Sequence, residues 1–316
     1  MAVQSNTKTF DFLGKRYWAY LLSGLLIAFT IYEWTTSGDA KFGIDYLGGH
    51  ELIVKVQDQK ANSEAVRNQL SKDKIDAIVQ AFEAGSDEFS IRITSQEKSG
   101  VVREKVLQSL EKAFAGEVEI LKADFVGPTI GEELKKDAVI ALLVSLLGML
   151  AYITWRFEMA FAVGAVIALF HDVIVTMGIY LLCGNTISVA TLAAALTIVG
   201  YSVNDTIIIF DRVREEILSR KDFDLDDLIN YSITQTLSRT IITSVLTLLS
   251  ALALLVYGGG AIADLSLFLC VGIVTGTYST IFIASPVAIA WENFRHSTKS
   301  GGAKEGLKRE VQAQQR

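Results

Sequence analysis

Residues 190–210 form an almost unbroken apolar run that passes directly into Asp211-Arg-Val-Arg-Glu-Glu216. A helix of roughly 20 apolar residues matches the hydrocarbon thickness of a bilayer, which removes most soluble folds from consideration. Near its charged end the run carries Asn204 and Asp205, flanked by Tyr201, Ser202 and Thr206. A carboxylate at the centre of a bilayer costs at least about 2.5–3.5 kcal/mol, so Asp205 is expected to face other helices or water. One reading makes it a structural hydrogen-bonding residue, or an acid reaching for the nearby interface. It lies about 9 Å inside Asp211 at the rise of an α-helix, and a short aspartate stem reaches poorly. The spacing favours a working intramembrane acid.

Runs of this kind recur along the chain. Of 316 residues, 51% are hydrophobic, and there are only 2 prolines and 2 cysteines, the composition of a polytopic membrane protein. The net charge of −6 therefore says little about soluble partners, and nothing suggests nucleic acid. Lys and Arg cluster beside the apolar runs, at Lys15 and Arg16, Arg156, Arg212 and Arg214, Arg220 and Lys221, and from Arg295 onward. The short loops at 183–186 and 257–262 have none. Cys183 and Cys270 lie near or inside spans and read as small apolar residues, not as a disulfide.

Taken in order, residues 1–16 are polar and 17–36 form a first span. Basic residues before a hydrophobic run also fit a secretory signal peptide, but no small-x-small site follows and further spans do, so an uncleaved anchor is expected. Residues 37–136 are charged and mixed, a folded domain. Leu52, Val54 and Val56 alternate within a strand at 50–57; a helix capped by Asn62 or Ser63 buries Val66 and Leu70. Strands at 75–82 and 88–94 flank a turn cluster at 83–87, a helix covers 101–114, and a strand closes the domain at 117–125. The order βαββαβ is the ferredoxin-like split arrangement, an α+β domain without a metal cluster, nucleophile or phosphate loop. Glycine-bearing junctions bound it, Phe42-Gly-Ile-Asp-Tyr-Leu-Gly-Gly49 and Val126-Gly-Pro-Thr-Ile-Gly-Glu-Glu-Leu134. Gly43, Gly48, Gly49, Gly127 and Gly131, with Pro128, are either linker residues or hinges.

Further spans are expected at 137–156, 160–182, 187–210, 238–257 and 262–290, with a charged loop at 211–237 that holds an amphipathic helix at 225–237, and a tail at 291–316. Positive residues mark the cytoplasmic side. Six spans then put both termini there and the α+β domain on the opposite face.

Among intramembrane charges, Arg239 opens the fifth span and is the available partner for Asp205. Thr243, Thr247 and Ser250 continue from it along one helical face, a polar stripe or routine packing. If Arg239 moves towards and away from Asp205, the carboxylate alternately releases and takes a proton. One charge crossing the field gains about 2.3 kcal/mol per 100 mV, enough to bias a conformational change. His171 and Asp172, in the third span, point roughly 100° apart and take a supporting role. Gly272 and Gly276 form a GxxxG suited to close helix packing, within this chain or against another.

These motifs carry a resemblance. The two junctions quoted above, with Leu169-Phe-His-Asp-Val173, Val199-Gly-Tyr-Ser-Val-Asn-Asp-Thr206 and Asp211-Arg-Val-Arg214, are similar to the SecF family of bacterial SecDF export complexes, in the RND superfamily. The resemblance implies an inner-membrane subunit with six spans, half of a 12-helix RND unit, and a periplasmic domain after the first. It implies partnership with SecD, the SecYEG translocon and a translocating preprotein in the lipid bilayer, and use of the proton-motive force with no cofactor beyond protons. It gives Asp205 and Arg239 the proton pathway, with Asn204 and Tyr201 beside them. A non-enzymatic export subunit is the expected function; a half-transporter moving a lipid or small molecule is the alternative.

Overall fold

The computed structural model describes residues 9–81, 87–220, 222–258, 260–297 and 303–314. Most of the turn cluster expected at 83–87 lies outside them, as do the outermost residues of both termini. The chain divides into two units, Thr35–Ala141 with Cys183–Leu192, and Met1–Trp34 with Leu142–Leu182 and Ala193–Arg316.

The first unit contains β1 (Gly49–Val56), α3 (Ser63–Lys72), β2 (Ile78–Ala81), β3 (Glu88–Ile93), α4 (Ser99–Ala113) and β4 (Val118–Val126), preceded by the short α2 (Ile44–Leu47). The strands form one antiparallel sheet in the order β2-β3-β1-β4, the split βαβ topology expected from the sequence. Alternation on β1 puts Leu52, Val54 and Val56 on the face covered by Val66 and Leu70 of α3 and Val102, Val106 and Leu110 of α4. Each such burial is worth about 1.5–3 kcal/mol. Asn62 caps α3, its Oδ1 accepting from Ala65 N at 2.8 Å.

The segment leaving the domain differs from a linker. α5 (Pro128–Arg156) already begins at Pro128, where a missing N–H does no harm, and runs unbroken into the span expected from residue 137. Gly48 has φ +72 and Gly49 φ +120, and a Cβ on Gly131 would stand 3.0 Å from Gly48 N. Small size at these positions lets the start of β1 and the first turn of α5 touch backbone to backbone.

The loop at 183–192 belongs to the same unit. Phe42 and Ile187 form a parallel bridge, with Gly43 N donating to Ile187 O and Ile187 N to Lys41 O, both at 2.8 Å. Tyr46 Oη donates to Ser188 O at 3.1 Å, and Asp45 Oδ2 accepts from Val189 N at 2.9 Å. Arg92 of β3 donates to Thr186 Oγ1.

The second unit is helical: α1 (Arg16–Thr36), the later part of α5, α6 (Met159–Leu182), α7 (Val189–Ser219), α8 (Leu225–Tyr257), α9 (Gly260–Ser279), a π-helical segment at Thr280–Ala284, α10 (Ser285–Ser297) and α11 (Ala303–Gln314). Among the described residues five helical stretches are long and apolar enough to cross a membrane: α5, α6, α7, α8 and the composite Ile262–Arg295. The sequence reading counts six. α1 has the length, at 21 residues, but Tyr17, Trp18, Tyr20, Tyr32 and Trp34 dilute its apolar character at both ends. Such aromatic residues are typical of membrane–water interfaces.

Two helices also run past the expected ends of their spans. The amphipathic helix expected at 225–237 and the span at 238–257 are one helix, α8, because no glycine or proline separates them. Asp224 caps it, accepting from Asp226 N at 3.0 Å. α7 likewise continues past the span into the charged loop as far as Ser219, where Arg212 pairs with Glu216 one turn on at 2.7 Å.

Small residues set the helix contacts. A Cβ on Gly272 would strike Ile198, and one on Gly276 would lie 3.1 Å from Ser202 Cβ, so the GxxxG seats α9 on α7 within this chain. Gly164 does the same for α6 against Ala284, and Gly178 against Thr30 of α1. At the Arg156 end, Asn230 Oδ1 accepts from Phe12 N and Leu13 N at 3.0 and 3.1 Å, and Arg16 pairs with Asp226 at 3.0 Å. Leu307 and Val311 of α11 join the core cluster that contains Phe157 and Ile217, so the tail carries a packed helix that its composition did not reveal.

Candidate functional site: a buried polar seam among the spans

Asp205 sits on α7 with 3% of its surface exposed. Its neighbours Ser202 and Thr206 are also buried, whereas Asn204 points outward. The opposing charge acting on it is Arg239 of α8. That guanidinium is exposed and stands off, without closing an ion pair on the carboxylate within 4.0 Å. The two residues expected to work together are thus electrostatically linked but not in contact.

A denser polar cluster lies beside them. Asp172 of α6 is completely buried, and its Oδ2 accepts from Ser202 Oγ of α7 at 2.6 Å and from Ser279 Oγ of α9 at 2.8 Å. Its Oδ1 lies 3.1 Å from His171 Nδ1. The other imidazole nitrogen is 2.9 Å from Ser23 Oγ of α1, which is 3.1 Å from Tyr278 Oη. His171 and Asp172 diverge, as adjacent helical residues must, towards α1 and towards α7 and α9. Further hydroxyl pairs join Thr206 to Thr280 at 3.3 Å and Ser244 to both Tyr201 and Thr277, at 3.4 and 2.8 Å. The π-helical segment begins directly after Ser279, widening the helix where it meets this cluster.

The polar stripe on α8 is placed differently from the seam. Thr243 Oγ1 bonds to Arg239 O at 3.0 Å and Thr247 Oγ1 to Thr243 O at 2.9 Å, so both hydroxyls are spent on their own helix. Thr247 is exposed, and the buried polar positions of α8 along this stretch are Thr240 and Ser244. Sequence reasoning missed Ser23, Ser244, Tyr278 and Ser279, and named Ser202 only as a flank of Asp205. A signal existed for Ser202 and Ser279, since both lie beside the small residues through which α7 and α9 touch.

At the membrane edge Glu158 and Arg214 form a buried ion pair at 3.2 Å, with Arg214 stacked over Phe157 at 5.3 Å. Burial pushes the Glu158 carboxyl above its ordinary value, against its own backbone amide and the Arg214 charge.

Residues 105–294 match the family described as protein export membrane protein SecD/SecF, C-terminal. The protein translocase subunit SecF of Desulfurispirillum indicum is 40% identical over 289 residues, covering 89% of this chain and 91% of that protein. The chain belongs to the SecF family. The SecF subunit of Pseudomonas aeruginosa is 41% identical over 287 residues, covering 90% of this chain and 92% of its own length. Among solved structures, SecDF from Thermus thermophilus, a translocon-associated membrane protein, superposes with a TM-score of 0.81 at 34% identity, over 93% of this chain. The chain spans 40% of that SecDF chain. As a SecF-family protein it is an accessory subunit of the protein-export apparatus, multi-pass in the bacterial inner membrane.

Proposed function

We propose that this chain uses the proton-motive force to promote polypeptide export, acting with SecD at the SecYEG translocon on a translocating preprotein. The observation that carries the proposal is the placement of Asp205: an acid buried inside a spanning helix, with Arg239 acting on it from the next helix but not bound to it. An acid held in a permanent ion pair is fixed as a carboxylate, whereas one whose counter-charge stands away is free to exchange a proton as that charge moves.

In this reading α1 is the sixth span, anchored by its interfacial aromatics, and the chain is half of a 12-helix RND unit. The cytoplasmic parts are 1–16, 211–237 and 291–316, and the α+β domain at 37–136 lies in the periplasm. The common-end packing of Arg16, Asn230 and α11 supports both termini lying on one side. The exposed face of α8, with Thr247 and Arg239, is the surface offered to SecD.

The test is complementation in cells depleted of the parental chain. Asp205→Asn and Arg239→Gln are each expected to accumulate to parental levels and co-purify with SecD, yet to lower export of a secreted reporter at least tenfold. Normal export by either variant would remove the proton role.

A further inference from the structure

The proton reading above uses Asp205 and leaves a second intramembrane carboxylate unassigned. Asp172 is buried to 0% exposure, and three other helices converge on it and its neighbour His171. Ser202 of α7 and Ser279 of α9 both donate to Oδ2, and a Cβ on Gly276 would lie 3.7 Å from the same oxygen. His171, 5% exposed, bridges Oδ1 to Ser23 of α1.

Counting hydrogens along this line decides what it can do. Tyr278 Oη donates its one hydrogen to Ala19 O at 2.7 Å, so its oxygen is free to accept from Ser23, 3.1 Å away. With the Ser23 hydrogen directed there, Ser23 Oγ has a lone pair for His171, and Nε2 must be the donor. Nδ1 faces Oδ1 across 3.1 Å, where a single hydrogen must lie between them, on the imidazole or on the carboxyl. The line as drawn therefore holds one proton more than a neutral imidazole facing a carboxylate. When that proton leaves, Nε2 becomes an acceptor, the Ser23 hydroxyl rotates to donate to it, and Tyr278 keeps its bond to Ala19. Every donor has an acceptor in both states. They differ by one proton and one hydroxyl rotation, with no heavy atom displaced.

We propose that His171 and Asp172 form a second proton-binding site, separate from Asp205 and reached through Ser23 of α1. The inference rests on the proton-driven reading and extends it from one site to two. The groups facing the site are Ser23 from α1, Ser279 and the titratable Tyr278 from α9, and Ser202 from α7, with Asp205 one turn further along that helix. Arg239 acts on Asp205. Loading the site turns the Ser23 hydroxyl from His171 to Tyr278, so α1 keeps its hydrogen bond to α6 and gains one to α9. Proton occupancy is thereby converted into a helix contact.

The chain has 3 histidines, His50, His171 and His296, so selective nitrogen-15 labelling of histidine in the full chain, in lipid nanodiscs, gives three resolvable rings. His171→Gln assigns the intramembrane ring by its disappearance. As the pH is raised, the His171 signals are expected to pass from a ring protonated at Nε2 to one protonated at Nδ1 alone. Asp172→Asn, which preserves shape, is expected to hold the ring neutral throughout. Asp205→Asn is expected to leave the transition in place. A His171 ring that stays in one neutral form in the parental chain overturns the proposal, as does an unchanged transition in Asp172→Asn or its loss in Asp205→Asn. In export assays His171→Gln is expected to change the pH profile of gradient-dependent export; an unaltered profile also overturns it. Failure of the Asp205 reading is seen separately, as normal export by Asp205→Asn.

Discussion

Arg214 has 5% of its side chain exposed and pairs with the buried Glu158 at 3.2 Å, with the exposed Asp211 further off at 3.8 Å. Breaking a buried pair by removing one partner leaves an uncompensated charge, which costs about 3–5 kcal/mol. Glu158→Ala is accordingly expected to lower the thermal stability of the detergent-solubilised chain by that order; a change below about 1 kcal/mol would place the pair with weak surface bridges. Asp58 illustrates the opposite kind of site. Its carboxylate is exposed and accepts from the backbone amides of Lys60, at 2.9 Å, and Ala115, at 3.0 Å, which lower its pKa below 3.8. A depressed folded value means the stabilisation is complete above the unfolded value of 3.8 and disappears as pH falls through the folded one. Asp58→Asn should therefore speed amide exchange at Ala115 near neutral pH. The difference from the parental chain should vanish once Asp58 is itself protonated, and a difference that persists in strong acid would refute this.

At the scale of elements, the junction between β1 and α5 depends on a backbone that only glycine accepts without strain. Gly48 has φ +72 and lies 3.0–3.2 Å, at its notional Cβ, from Pro128 and Val126 backbone atoms. Gly48→Ala is expected to cost about 1–2 kcal/mol, while Gly127→Ala, which would meet nothing within 4 Å, should be silent in the same denaturation measurement. Equal effects would mean that the junction is loose. α8 offers a comparable test. Because 225–257 is one helix, Thr236→Pro should kink it and cost about 3 kcal/mol; a tolerated proline would restore the two-helix reading. What the sequence did and did not show has physical causes. Alternation on β1 and the helical period of α4 were legible because each packs one face against a single local core. The continuity of α7 and α8 was not, since the change from apolar to charged residues marks the membrane edge and leaves the helix intact. Asp205 and Arg239 were legible as charges out of place in apolar runs. The serines around Asp172 were not, because a serine in a span looks alike whether it bonds its own helix, as Ser250 does with Leu246 O, or another, as Ser279 does.

For the whole molecule, α7 is the helix whose first turn belongs to one unit and whose remainder belongs to the other. The loop at 183–192 is bridged to Phe42 in the α+β unit, and α7, which starts within that loop at Val189, carries Asp205. The centre of the account is that Asp205 takes and releases the proton that drives export. The direct measurement uses inverted membrane vesicles containing the SecD and SecYEG partners and a labelled preprotein, with parental or Asp205→Asn chains, before and after the proton gradient is collapsed. The parental rate should fall on collapse, and the variant should already run at the collapsed rate and ignore the gradient. A variant whose rate still falls when the gradient is removed would contradict the account.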